Sequence, residues 1–397
     1  MTHEWGLMNK LLEDVRVLDL THVWFGPWTT LMLAEMGAEV IKIEPPWGSL
    51  GRLSQWGPMY GGASPTFHHL NLNKKDIAMN LKDPRIKKIF EDLVKISDIV
   101  ITNFIPGTME RLGIGYDDLK KIKPDIIYAA LSGFGETGPY NKRASYAMIA
   151  EAFAGFSRQQ GDNVDPEGPP YTMTGAFGDL APGTMAAMAI IAALRYRDKT
   201  GVGQKIDVAQ LDTMFAYNVN TTNYFVSGKD EKTRREEMAP MRKAREQTSI
   251  GGIHPVKDGH IYLMGFRAKG MDALKEKLGV EEVTKDMVLD YIKDMTKAEA
   301  DSFFAGVGLP VAPINFASES TVDPQVLARD MVIELEHPLL GKYKAVNFPV
   351  KFSETPGEVH SPAPLLGQHN REILTELLGL SEEEITALEK DGVIAKA

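Results

Sequence analysis

The chain is 397 residues long, 43% hydrophobic and 25% charged, enough for two domains and too much for one comfortable core. Its formal net charge of -10 argues against a general nucleic-acid or anionic-membrane surface, because phosphates would be repelled over most of the protein; a phosphate-bearing ligand needs a local basic pocket. With no cysteine, disulfides, thiolate metal sites and cysteine nucleophiles are excluded, and a reducing setting fits.

The opening stretch MTHEWGLMNKLLEDVRVLDL lacks both a basic region and an apolar region of leader type, and no run of about 18 apolar residues is apparent later. A soluble, cytoplasmic protein without membrane contact is expected. From 14 to 44, DVRVLDLTHVWFGPWTTLMLAEMGAEVIKIE reads as strand, loop with Gly26 and Pro27, helix and second strand, a βαβ unit. The pattern continues with a helix at 84–96, a strand at 98–104, helices at 106–112 and 116–122, and a strand at 125–131. Such alternation predicts an α/β fold, a Rossmann-like parallel sheet covered on both faces, with ligands outside the carboxyl ends of the strands. A long helix ending near Arg197 follows, then TGVGQKIDVAQLDTMFAYN, read as a hairpin-like strand and a further helix.

Residues 229–246, KDEKTRREEMAPMRKARE, are densely charged without an apolar stripe and read as solvated linker or surface helix. GGIHPVKDGHIYLMG (251–265) has the pattern of a hairpin turning at Asp258-Gly259, with helices to about 307, which predicts a smaller α+β domain. FPVKFSETPGEVHSPAPLLG (348–367) is too rich in proline for regular elements, and a terminal helix is expected from about 369. The expected domains are a large one over 1–220, a small one over 221–328, and a segment 329–397 whose helix returns to the large domain.

GFGETG (133–138) is a literal G-x-G-x-x-G, but Pro139 and YNKRAS follow it instead of a helix, and the first βα turn, THVWFGP, has one glycine. Dinucleotide binding is therefore not expected. Nine histidines without ligand spacing give no metal site. GAFGDLAPGTMAAMAIIAALRYR (175–197) sets Asp179 ahead of the most apolar helical stretch. It reads as a helix N-cap, with Pro182 in the first turn, and equally as a nucleophile: Gly175, Gly178 and Gly183 remove side chains around it, so that a ligand approaches and N–H groups face a developing oxyanion.

Several segments together resemble the family III CoA-transferases, typified by formyl-CoA and carnitine CoA-transferases, from about residue 12 to the end: VLDLTHVWFGP, LAEMGAEVIKIEPP, LNLNKKDIAMNLKDP, SDIVITNFIPGTMERLGIGYDDL, IIYAALSGFGETGP, the Gly178-Asp179 pair with its alanine-rich helix, TGVGQKIDVAQLD and PAPLLGQHNREIL. The resemblance implies that Asp179 is the nucleophile, forming a mixed anhydride and then an aspartyl-CoA thioester. CoA and acyl-CoA are then substrates, with no permanently bound cofactor and no metal. It implies CoA contacts from Val23, Phe25, Met79, Leu81, Asn103 and Phe104, with Tyr146 near the thioester, and Lys82, Arg111, Arg52, Lys74 and Lys75 are the candidate cations for its phosphates. Gly251 and Gly252 resemble a shortened form of the glycine loop that closes the site. An interlocked homodimer is expected on the same ground, or a heteromer with a related chain. Trp24 stands where formyl-CoA transferase has a glutamine, with Phe25 and Trp28 close by, which points to a larger, apolar or aromatic acid unless these rings pack in the core. Ala147 replaces an acidic residue of relatives, and Pro45 an arginine. The α-methylacyl-CoA racemases share the aspartate but use a His-Asp pair where this chain has Tyr146 and Ala147, and a tyrosine of pKa about 10 is a poor base.

Overall fold

A computed structural model describes residues 10–53, 57–173, 175–265 and 267–396. The opening nine residues, where a leader was judged absent, lie outside the described residues. By compactness the chain divides into one unit of residues up to 221 plus 330–397 and another of 222–329.

The first unit is built on six strands: β1 (Arg16–Asp19), β2 (Glu39–Glu44), β3 (Lys74–Ala78), β4 (Ile99–Thr102), β5 (Ile127–Ser132) and β6 (Lys205–Ala209). All pair in parallel in the order β3-β2-β1-β4-β5-β6. Their near-continuous apolar runs are what a sheet covered on both faces requires. Alternate residues serve opposite layers. Leu18, Ile41, Ile77, Val100 and Tyr128 face a helix α3 (Pro84–Lys95), and Val17, Val40, Ile99, Ile127 and Leu131 face α1 (Phe25–Glu35) and a long helix over Phe177–Thr200. Between α1 and α3 lies α2 (Pro65–Leu70). α3 begins where Asp83 caps the Arg85 N–H at 2.9 Å, with Pro84 in the first turn.

After β4 come α4 (Thr108–Arg111) and α5 (Tyr116–Ile122), and after β5 come α6 (Ala147–Phe153), α7 (Phe156–Val164) and α8 (Phe177–Thr200). α8 ends on Gly201 at φ 71°, a left-handed position that suits glycine. It corrects the expectation that no segment has membrane-spanning composition: α8 has the length and a mean hydropathy of 1.5, but 56% of that stretch is buried, as in the core helix of a globular protein. The strand after it is also corrected. β6 is no hairpin arm but the sheet's last parallel strand, in register with β5 from Tyr128↔Lys205 to Ser132↔Ala209. α9 (Gln210–Tyr217) and α10 (Asn220–Ser227) follow.

The second unit contains α11 (Glu231–Thr248), the charged surface helix, and the hairpin β7 (Gly252–Val256) and β8 (Gly259–Leu263). Helices α12 (Ala268–Leu278), α13 (Lys285–Ile292) and α14 (Lys297–Gly306) pack Leu274, Val288, Ile292 and Phe304 on Ile261 and Leu263. A third strand, β9 (Val311–Pro313), pairs antiparallel with β8 and was not anticipated; α15 (Ala317–Ser320) and α16 (Pro324–Ala328) complete the unit. Back in the first unit, β10 (Val332–His337) and β11 (Gly341–Val346) form a second unanticipated hairpin. The terminal helix is broken into α17 (Asn370–Glu372), a π-helical stretch (Ile373–Leu377) and α18 (Glu382–Lys390). Asn370 ties this segment to the sheet, accepting the Ala78 N–H at 2.8 Å.

Candidate active site

In the six-stranded order the chain runs from β1 to β2 on one side and returns to β4 on the other, so the sheet's switch point lies between β1 and β4, the crevice where open α/β sheets bind ligands. The loop after β1 is heavily constrained. Val23 adopts φ 67°, strained for a β-branched residue. Asn103, just past β4, brackets His22: its Oδ1 accepts the His22 N–H at 3.0 Å and its amide donates to the His22 carbonyl at 2.8 Å. Phe104 stacks on the His22 ring, centroids 5.6 Å apart. Burial, then the Lys42 ammonium, lower the His22 pKa to about 4, so the ring is neutral.

Beneath that loop lies a buried polar network. Lys74 donates to Asp19 at 3.2 Å, to Thr30 at 2.7 Å, to Asn71 at 3.0 Å and to the Pro27 carbonyl at 3.0 Å. Burial lowers its pKa to about 7 against the pull of Asp19, while burial of Asp19 is outweighed by Lys74, Lys42 and two threonine hydroxyls that hold it well below the usual carboxylate range. Lys74 is thus committed to supporting the loop and is not a phosphate contact. The same correction applies to Arg52, buried against Glu44 at 3.0 Å with its guanidinium over the Phe67 ring, whereas Lys75 is half-buried and bridged to Glu39 at 2.8 Å and Glu372 at 2.7 Å.

Two expected cations are exposed. Lys82 follows β3, and Arg111 closes α4, donating to Thr108 at 2.8 Å. Lys142, which sequence reasoning missed, joins Arg111: a Cβ on Gly107 would lie 3.4 Å from Arg111 Nη1 and 3.6 Å from Lys142 Nζ. Met79 is buried in the sheet's core, its N–H on the Glu44 carbonyl at 2.7 Å, and Leu81 packs at that core's edge. Pro45 is half-buried at the end of β2.

Asp179 is buried in the first turn of α8. It is not the N-cap. Ala176 holds that position without a side-chain bond, and Pro182 falls inside the helix instead of in its first turn. The cap comes from outside: Glu151 of α6, itself buried, accepts the Gly178 N–H at 2.8 Å. Gln210, the first residue of α9, donates its side-chain amide to Asp179 Oδ1. Burial pushes the Asp179 pKa up to about 7, with the Gln210 bond pulling it down and the Glu151 charge adding to the rise. Neither Glu151 nor Gln210 had been singled out, because only folding brings them to Asp179.

Two of the glycines serve packing, which corrects the idea that all three clear a path for ligand. A Cβ at Gly178 would lie 2.5 Å from the Ala147 carbonyl oxygen, and one at Gly183 would lie 2.9 Å from the Phe25 carbonyl oxygen and from Trp28 Cδ1. They bring α8 onto α6 and α1. Gly175, at φ 82°, has open space around it. Phe25 is buried in the sheet's core, whereas Trp24 and Trp28 are half-buried. Trp28 donates its indole N–H to Thr184 of α8 at 3.0 Å. Ala147 is buried in the first turn of α6, and Tyr146 before it is 54% exposed. Gly251 and Gly252 lie in the second unit at the start of β7, Gly252 at φ 137° with open space at its α-carbon.

Comparison with known proteins supplies the context for this geometry. The family model CoA-transferase family III matches residues 12–370. Human succinyl-CoA:glutarate CoA-transferase is 34% identical, the match covering 97% of this chain and 90% of the relative. Formyl-CoA:oxalate CoA-transferase of Streptomyces coelicolor is 32% identical over 97% of this chain and 99% of the relative. A crystal structure of a CAIB/BAIF family protein from Brucella suis superposes with a TM-score of 0.81 at 28% identity, covering 93% of this chain and 100% of that one. With matches that span nearly its whole length, the chain belongs to CoA-transferase family III and is an acyl-CoA:carboxylate CoA-transferase.

Proposed function

We propose that Asp179 carries the transfer as a covalent nucleophile. Its Oδ2 attacks the thioester carbonyl of the donor, the C–S bond breaks, and CoA leaves as the thiolate. The thiolate then attacks Cγ of Asp179, the anhydride C–O bond breaks, and the donor acid departs as its carboxylate, leaving an aspartyl-CoA thioester that the acceptor acid reverses. The observation that carries this reading is a carboxylate buried at a helix N-terminus with its hydrogen bond from Gln210 on one oxygen only, Oδ1, among the described residues. Burial also limits water, to which both intermediates are vulnerable.

CoA lies at the switch point in this reading. The loop of Val23, with Asn103 and Phe104, borders the pantetheine path, Tyr146 stands near the thioester, and Lys82, Arg111 and Lys142 receive phosphates. The half-buried indoles of Trp24 and Trp28 support an acceptor acid larger and more apolar than formate or oxalate. A homodimer is the assembly we favour; CoA and its thioesters enter as substrates.

Incubation with an acyl-CoA donor alone, followed by hydroxylamine and peptide mass spectrometry, is the test. A hydroxamate at Asp179, lost together with transfer in Asp179→Ala, is the expected result. Transfer that survives in Asp179→Ala, or exchange of the α-proton with solvent deuterium without an adduct, overturns it.

A further inference from the structure

The contact between Gln210 and Asp179 has a direction that the two-step reaction uses unequally. Gln210 is buried and starts α9 directly after β6, and its backbone is held there by two neighbours: the Leu211 N–H donates to the Gly133 carbonyl at 3.0 Å and the Thr213 hydroxyl donates to the Ala209 carbonyl at 3.1 Å. Its amide meets Oδ1 of Asp179. With one oxygen so held, the carboxylate cannot rotate freely, and Oδ2 is the oxygen left to attack.

We infer that Gln210 is a catalytic residue whose side-chain amide forms the oxyanion hole for the second step, the attack of CoA thiolate on Cγ of Asp179. This rests on the aspartyl mechanism proposed above. In the resting carboxylate the negative charge is shared by both oxygens. In the mixed anhydride Oδ2 bridges to the acyl group and Oδ1 is a neutral carbonyl oxygen. When sulfur adds to Cγ, a full negative charge gathers on Oδ1, at the atom Gln210 already contacts. The bond is therefore stronger in the tetrahedral intermediate than in either flanking state, which is the condition for an interaction to accelerate a step instead of merely binding. A neutral donor suits this role. A lysine or arginine in its place would pair with the resting carboxylate and blunt its attack in the first step.

The experiment follows single-turnover kinetics with an acyl-CoA donor by intact-protein mass spectrometry, which separates the small acyl adduct from the much heavier CoA adduct on Asp179. Gln210→Met has nearly the same volume and no donor. The acyl adduct should still form, while its conversion to the CoA adduct slows on the order of 100-fold, the usual loss for one oxyanion donor. Gln210→Leu, a second side chain of similar volume without a donor, should show the same block. A merely structural role would lower both adducts together and leave their ratio unchanged; that result, or conversion in Gln210→Met within threefold of the unaltered enzyme, overturns the inference. Turnover by the unaltered enzyme with no adduct on Asp179 would instead overturn the mechanism beneath it.

Discussion

A carboxylate that must be ionised to react, and is buried beside a second carboxylate, works over a restricted pH range. With Asp179 pushed up to about 7, only the deprotonated fraction attacks. The single-turnover rate of adduct formation should fall roughly tenfold per pH unit below pH 7 and level off above it, a profile read directly by stopped quench. Stability runs the other way. The folded-state pKa lies above the ordinary carboxylate value of 3.8, so the folded protein binds the proton more tightly, and stability is lost as pH rises from about 4 through about 7. Asp179→Asn, neutral at every pH, should therefore melt several degrees above the unaltered protein at pH 8 and about with it at pH 4. At this scale the local sequence left Asp179 open between helix cap and nucleophile, and it gave nothing of that residue's environment. Gln210 and Glu151 lie about 30 positions away, on α9 and α6, and no local pattern connects them to Asp179.

Among the elements, α8 positions the site through close approach to its neighbours. Gly178 leaves no room for a side chain against the Ala147 carbonyl, and the same glycine presents its N–H to Glu151. Gly178→Ala should push α6 and α8 apart, lowering stability by about 1–3 kcal/mol in urea unfolding and transfer by far more than that loss explains, since Asp179, the nucleophile we propose, is the next residue. Gly175→Ala, in open space but at φ 82°, should cost only backbone strain. The βαβ units were legible because strands buried on both faces write long apolar runs. The direction of β6 was not: the turn glycines before it suit a hairpin and a crossover alike, and pairing with β5 is decided by α8 covering the sheet. β10 and β11 escaped notice because β11 buries no residue and β10 only Leu335 and His337, which leaves a faint apolar alternation in VIELEH and GKYKAV.

For the whole molecule, an acidic chain that handles a polyanionic substrate must keep its positive charge in a few places, and several lysines and arginines near the expected phosphate site are already paired. Arg52 and Lys74 illustrate why counting cations in sequence overstates the phosphate site: each lies near the right segment, and each is buried against a carboxylate. The surface carries a second signal. Around α10, Val219, Phe225 and Val226 are 72%, 74% and 82% exposed, a run of apolar side chains in eight residues that a monomer would hold against water. Such a patch is the ordinary mark of a covered interface. If a second copy of the chain covers it, placing a charge there strands that charge in an apolar contact. Val219→Asp with Val226→Asp should lower the share of the chain that assembles into dimers on refolding from urea, read as a larger monomer fraction in sedimentation velocity at micromolar concentration. Because both side chains already face solvent in the single chain, the fold should be unaffected, and circular dichroism of the doubly substituted protein should match the original. A dimer that survives both charges would assign the patch to another role and the assembly to another surface.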